Sequence, residues 1–234
     1  LLTLLVFALV AMGGARVIQL VALGEADQTV KDLGLSAITL FCVLIAVLVG
    51  GRIVFKEVER RTIYLVLARP VRRMEFILGK YFGLLAVLGT SLVLMTIGFY
   101  LVLFTSGMGT PLNLLWAVLM TGFELALLTA VAVMFSTLVT PVAGAVFTLA
   151  VYVIGHGAPL LKQLAAMSPS KVVDAIGLFL YYVLPNLTNF NIRGEVVHGV
   201  LLNPEALLLS VAYALVYTAT LLLISIATFS RKDF

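Results

Sequence analysis

Six apolar runs, separated by short polar links, decide what this chain can fold into. They cover residues 1–14, 33–51, 76–104, 114–138, 142–154 and 206–229 of a 234-residue sequence. Several reach or approach the ~20 residues a helix needs to cross ~30 Å of hydrocarbon. Composition agrees: 62% of residues are hydrophobic and 11% charged, whereas soluble domains are roughly a quarter charged. Mean hydropathy is +1.18. The expectation is an all-α, polytopic helical membrane protein, with residues 1–234 forming a single transmembrane domain of six spans. The first residue is Leu1, inside an apolar run, so a cytoplasmic N-terminal piece and part of the first span are expected to precede it.

The links fix the expected topology. "GEADQTVKD" (24–32) reads as a polar link, "TSGMGTPLN" (105–113) as a Gly/Pro turn, and "VTPVAG" as a tight hairpin. Eight of the fifteen Lys and Arg residues lie between the second span and the start of the third: Arg52, Lys56, Arg60, Arg61, Arg69, Arg72, Arg73 and Lys80. The positive-inside bias puts that loop in the cytoplasm, together with the tail bearing Arg231 and Lys232. Four spans separate the two, so both fall on one side. The link at 24–32 and the mixed region 155–205 then face outward. "KVVDAIGLFLYYVLP" (171–185) is too short for a seventh span, contains Asp174 and ends at Pro185. It reads as an interfacial or re-entrant helix on the outer face, before the last span. The net charge of +4 sits between spans, which excludes nucleic acid as the natural partner. Cys42 is the single cysteine, so no intrachain disulfide can form.

The charged segment has its own structure. From Phe55 to about Ala68 the stretch favours a helix, with Glu57 four residues before Arg61 in the favourable order. Val58, Thr62 and Leu65 share one stripe, opposite Lys56, Glu59 and Arg60. Pro70 breaks that helix and suits the first turn of the next. Such a loop can serve simply as a headgroup anchor. Yet an anchor needs only Lys and Arg, and this one also carries Glu57, Glu59 and Glu75. Mixed charge on a short rigid helix fits a protein partner.

"KEVERRTIYLVLARPVRRMEFILGKYFGL" (56–84) resembles the signature of ABC-2-type ABC transporter permeases, in which an acidic–basic helix precedes "RPVxRxEFxxGKxxG". "KDLGLSAITLF" (31–41) and the terminal "FSRKDF" resemble the same family, in the branch often labelled multicopper-enzyme maturation permeases. The resemblance implies two six-span permease units side by side in a prokaryotic cytoplasmic membrane, as a homodimer or pseudo-symmetric heterodimer. Two ATPase subunits would dock beneath them, carrying ATP and Mg. The helix between the second and third spans would be the coupling helix. Lys56, Glu57, Glu59, Arg60, Arg61, Thr62, Tyr64 and Arg72 would contact or position the ATPase. Arg69 and Pro70 would fix the elbow. Gly79 and Lys80 would sit where the third span enters the membrane. The chain contains no G-x-x-x-x-G-K-[ST] phosphate loop, so no cofactor is expected on it and ATP hydrolysis is assigned to the partner.

One charge stands inside a run. Glu124, in "LMTGFELALL", lies near the middle of the fourth span. A charge there costs ~2.5–3.5 kcal/mol on insertion scales, so it must be protonated, paired or exposed to an aqueous cavity. A role in translocation or coupling and a purely structural hydrogen bond are both consistent with that. His156 and His198 show no metal-ligand spacing with Cys42 or the seven Met residues, and no metal site is expected. No H-E-x-x-H or G-x-S-x-G occurs, so no catalytic residues are assigned. The expected function is the membrane-spanning subunit of an ABC exporter. An ion-coupled transporter or channel, or a non-transporting scaffold for enzyme maturation, are the other readings.

Overall fold

A computed structural model of the chain describes residues 26–54, 73–160 and 171–231, together with Val6, Gly14 and Gln163. The described residues form helices α1 (Ala26–Gly50), α2 (Arg73–Thr105), α3 (Leu114–Leu138), α4 (Pro141–His156) and α5 (Lys171–Val183). A 3-10 turn (Leu187–Phe190), α6 (Arg193–Val197) and α7 (Pro204–Ser230) follow, and no strand occurs among the described residues. α1, α2, α3 and α7 are each long and apolar enough to cross a membrane. Most of the first expected span, and the expected coupling helix from Lys56 through Arg72, lie outside the described residues.

Helix ends follow the turn chemistry. Pro141 and Pro204 open α4 and α7, where a missing N–H costs nothing. The Asn203 side chain accepts from Glu205 N at the start of α7, as a helix cap does. After α2 the chain reverses through Gly107 at φ 70°, a conformation glycine adopts without strain.

The stretch expected as a polar link, residues 24–32, is helical from Ala26 onward. Its charges fit a helix because they sit one turn apart: Lys31 Nζ donates to Asp27 Oδ2 at 2.6 Å. α1 therefore extends about 10 Å beyond the expected span.

α3 is the hub. It is apolar around its whole circumference and packs on α1, α2, α4 and α7, most extensively on α7. A helix of that kind belongs inside a bundle. The outward faces of α2 and α7 are also apolar: Phe104 is 75% exposed and Leu208 71%. Such surfaces suit hydrocarbon and are unsuited to water.

One end of the bundle carries Arg52, Arg73, Lys80 and Arg231 and is called here the basic face. There Arg73 Nη1 donates to Ser230 O at 2.6 Å and Phe229 O at 3.4 Å, satisfying carbonyls that the end of α7 leaves open. Phe76 stacks on Phe229 at 5.5 Å, and Lys80 Nζ lies 5.5 Å from the centre of the Phe76 ring. Gly79 is exposed, with open space where a side chain would be. The ends of α1, α3 and α4 are level at this face because Gly51 lets backbones touch. A Cβ at Gly51 would meet Ala145 N and Pro141 O at 3.0 Å.

Candidate functional site

Most buried polar side chains in the spans are satisfied inside their own helix. Thr39, Thr96, Thr129 and Thr148 each donate to the carbonyl four residues back, a local bond that leaves no demand on neighbours. Glu124, His156 and Arg193 behave differently, because each approaches a polar group on another element.

Glu124 on α3 is 2% exposed. Its Oε1 lies 3.4 Å from His156 Nε2, at the end of α4. Neither atom has a hydrogen bond among the described residues, so the two stand close without being bonded. His156 Nδ1 is 3.2 Å from Tyr152 O, which fixes the ring and aims Nε2 at the carboxylate. Arg193, at the start of α6, lies within electrostatic reach of both Glu124 and His156. Its Nη1 donates to the Ser36 hydroxyl of α1 at 2.8 Å, and its Nε donates to Asn191 Oδ1 at 3.0 Å. A part-exposed guanidinium thus stands within electrostatic reach of a buried carboxyl, which lowers the cost of charge on Glu124.

These residues lie at one depth. At 1.5 Å per residue, Ser36, Glu124 and His156 each stand about 21–23 Å from the basic-face end of their helices. α4 stops at that level: its 16 residues span about 24 Å, short of ~30 Å of hydrocarbon. The chain from Val183 to Val197 fills the remaining depth. The Thr188 hydroxyl donates to His156 O at 3.1 Å, capping α4. Gly155 admits this segment; a Cβ there would come within 2.7 Å of Pro185 O.

Tyrosines on α7 hold the same segment from the other side. Tyr217 donates to Val183 O at 2.6 Å, and Asn186 N donates to the Tyr213 hydroxyl at 3.0 Å. Backbone that is neither helix nor sheet needs such partners at membrane depth. α5, expected as an interfacial or re-entrant helix, ends at the depth of Tyr217 with Val183 half exposed, and the stretch that follows it packs on α4 through Pro185 and Leu187.

Of the residues singled out in the sequence, Glu124 and His156 come together, while Gly79 and Lys80 lie at the basic face. Lys56, Glu57, Glu59, Arg60, Arg61, Thr62, Tyr64, Arg69, Pro70 and Arg72 lie outside the described residues. His198 is exposed at the end of α6 and does not join the cluster. Among the described residues, no group of three or more His, Cys, Asp or Glu forms. Sequence reasoning missed Arg193 and Ser36. The available signal was Arg193 itself, a lone cation in "NFNIRGEV" beside the buried Ile192.

No individual curated protein matches the chain. A family model described as ABC-2 family transporter protein matches residues 3–234. That match spans nearly the whole sequence and agrees with the long apolar helices; the chain is an integral, multi-pass membrane protein that belongs to the ABC-2 transporter family.

Proposed function

We propose that this protein is the permease unit of an ATP-driven ABC exporter, with six spans when residues 1–14 are counted. Its basic face and C-terminus face the cytoplasm, as the positive-inside bias requires, in a prokaryotic inner membrane. A second permease copy stands beside it, and two ATPase subunits carrying ATP and Mg dock on residues 56–72. Within that segment Lys56, Glu57, Glu59, Arg60, Arg61, Thr62, Tyr64 and Arg72 form the docking helix, with Arg69 and Pro70 as its elbow.

The observation that carries this reading is the continuity of α1. It runs from Ser36, the partner of Arg193, to Gly50, directly before the charged segment. ATP binding closes the ATPase dimer and moves the docking helix as a rigid body. α1 transmits that movement along its axis and displaces Ser36 relative to Arg193. The re-entrant stretch 183–197 then swings away from α1, α3 and α4, and the outer side opens. Glu124 and His156 hold that stretch in the closed state and line the path when it opens.

Co-purification from native membrane tests the reading. An ATPase subunit is expected to accompany the wild-type chain, and Arg60→Glu with Arg61→Glu is expected to release it. Retention of the ATPase by the double variant would overturn the assignment of the docking helix.

A further inference from the structure

A second feature lies farther from the basic face. Between the 3-10 turn, α6 and the start of α7 is a half-enclosed cleft of about 350 Å³, whose lining includes Asn189, Asn191, Glu195 and Asn203 with apolar Ile192 and Leu207. Its polar groups are not interchangeable. The side-chain oxygens of Asn191 and Asn203 are already engaged, by Arg193 Nε and Glu205 N, each at 3.0 Å. Those bonds fix the two amides and leave their NH2 groups as donors. The Asn189 side chain and the Glu195 carboxylate make no hydrogen bond among the described residues. The cleft therefore offers amide donors on one hand and a single carboxylate on the other.

That combination suits a zwitterion. Amide N–H groups match phosphate oxygens, and the carboxylate matches an ammonium that can donate to it. Among the described residues no aromatic ring lines the cleft, which leaves it without the cage that recognises quaternary ammonium groups. A primary ammonium is the better fit. Depth agrees: Ser210 and Asn203 stand about 30 and 40 Å from Ser230 along α7, the level at which headgroups cover ~30 Å of hydrocarbon. Leu215 and Val216, 59% and 69% exposed, stand deeper on α7, about 21–23 Å from Ser230, where acyl chains would lie.

We propose that this cleft binds a phosphoethanolamine headgroup, with the ammonium on Glu195 and the phosphate on the amides of Asn189, Asn191 and Asn203. The headgroup belongs either to an outer-leaflet lipid or to a soluble glycerophosphoethanolamine.

Native mass spectrometry of the purified full chain, equilibrated with phosphatidylethanolamine, phosphatidylcholine or phosphatidylglycerol, tests this. The wild type is expected to retain phosphatidylethanolamine about tenfold over the other two, the worth of one charge-assisted hydrogen bond. Glu195→Gln should bring phosphatidylethanolamine and phosphatidylcholine to parity, and Asn189→Leu should weaken the retention of phosphatidylethanolamine. Both positions are exposed, so neither change threatens the fold. Displacement of the lipid by added glycerophosphoethanolamine would identify the soluble form as a ligand; retention against it would identify the lipid. Equal retention of the three lipids by the wild type, or an unchanged preference in Glu195→Gln, would overturn the proposal.

Discussion

Arg193 of α6 donates to the Ser36 hydroxyl of α1 at 2.8 Å, joining positions 157 residues apart in the sequence. The bond matters because of what surrounds it. Arg193 also lies in electrostatic reach of Glu124 on α3, and Glu124 lies 3.4 Å from His156 on α4. Four elements thereby bring polar groups to one depth, on the far half of a bundle whose opposite end is basic.

Arg193→Ala removes the part-buried bond to Ser36 and the cation within electrostatic reach of Glu124, and is expected to destabilise the protein by about 1.5–3 kcal/mol, the range for a hydrogen bond to a charged group. Glu124→Gln alone should cost less. The double variant should recover part of the loss, with a coupling of about 0.5–3 kcal/mol. Thermal unfolding of the purified variants measures the cycle, and strict additivity would show that the two side chains do not interact.

Thr188→Val keeps the shape of the side chain and deletes the hydroxyl that caps His156 O. The loss is expected to be about 1 kcal/mol and to be local. Hydrogen exchange should quicken across residues 185–197 and at the end of α4, while α2 keeps its protection. Uniform acceleration through the bundle would contradict the capping role.

Glycine positions separate packing from docking. Gly51→Val forces a side chain against the backbone of Pro141 and Ala145 and should cost about 1–3 kcal/mol. Gly79→Ala meets open space within a helix, where Ala is favoured by up to about 1 kcal/mol. Unfolding of the two variants should therefore shift in opposite directions. If Gly79→Ala nonetheless weakened ATPase association, Gly79 would be needed at the contact itself.

Cys42 is fully buried, with Sγ 4.0 Å from Met95 Sδ. Thiol-directed reagents are expected to leave it unmodified in the folded protein. Stoichiometric labelling at neutral pH in detergent would show that α1 and α2 separate there.

Hydrophobicity made much of this fold legible. α3 spans Leu114–Leu138, as its apolar run implied, because helix length in a bilayer is set by the thickness to be crossed. Glu124 stood out for the same reason, as a charge where charge is costly. The beginning of α1 was misread because polarity alone marks a link, whereas Asp27 and Lys31 are spaced for a helix. The Arg193–Ser36 bond was beyond reach, since no periodicity connects side chains so far apart in the chain. The apolar run 142–154 marked the end of α4 at His156, but hydropathy does not indicate that the stretch after α5 takes up the depth α4 leaves.

The central claim is that nucleotide on a partner ATPase separates the re-entrant stretch from α1, and a distance measures it most directly. Spin labels at Leu33 on α1, 50% exposed, and at Leu201 beside the cleft, 96% exposed, can be placed in a Cys42→Ala background. With the ATPase bound, a non-hydrolysable ATP analogue is expected to lengthen the distance between the labels, and Arg60→Glu with Arg61→Glu to abolish that change. An unchanged distance in the wild-type complex with analogue bound would contradict the account.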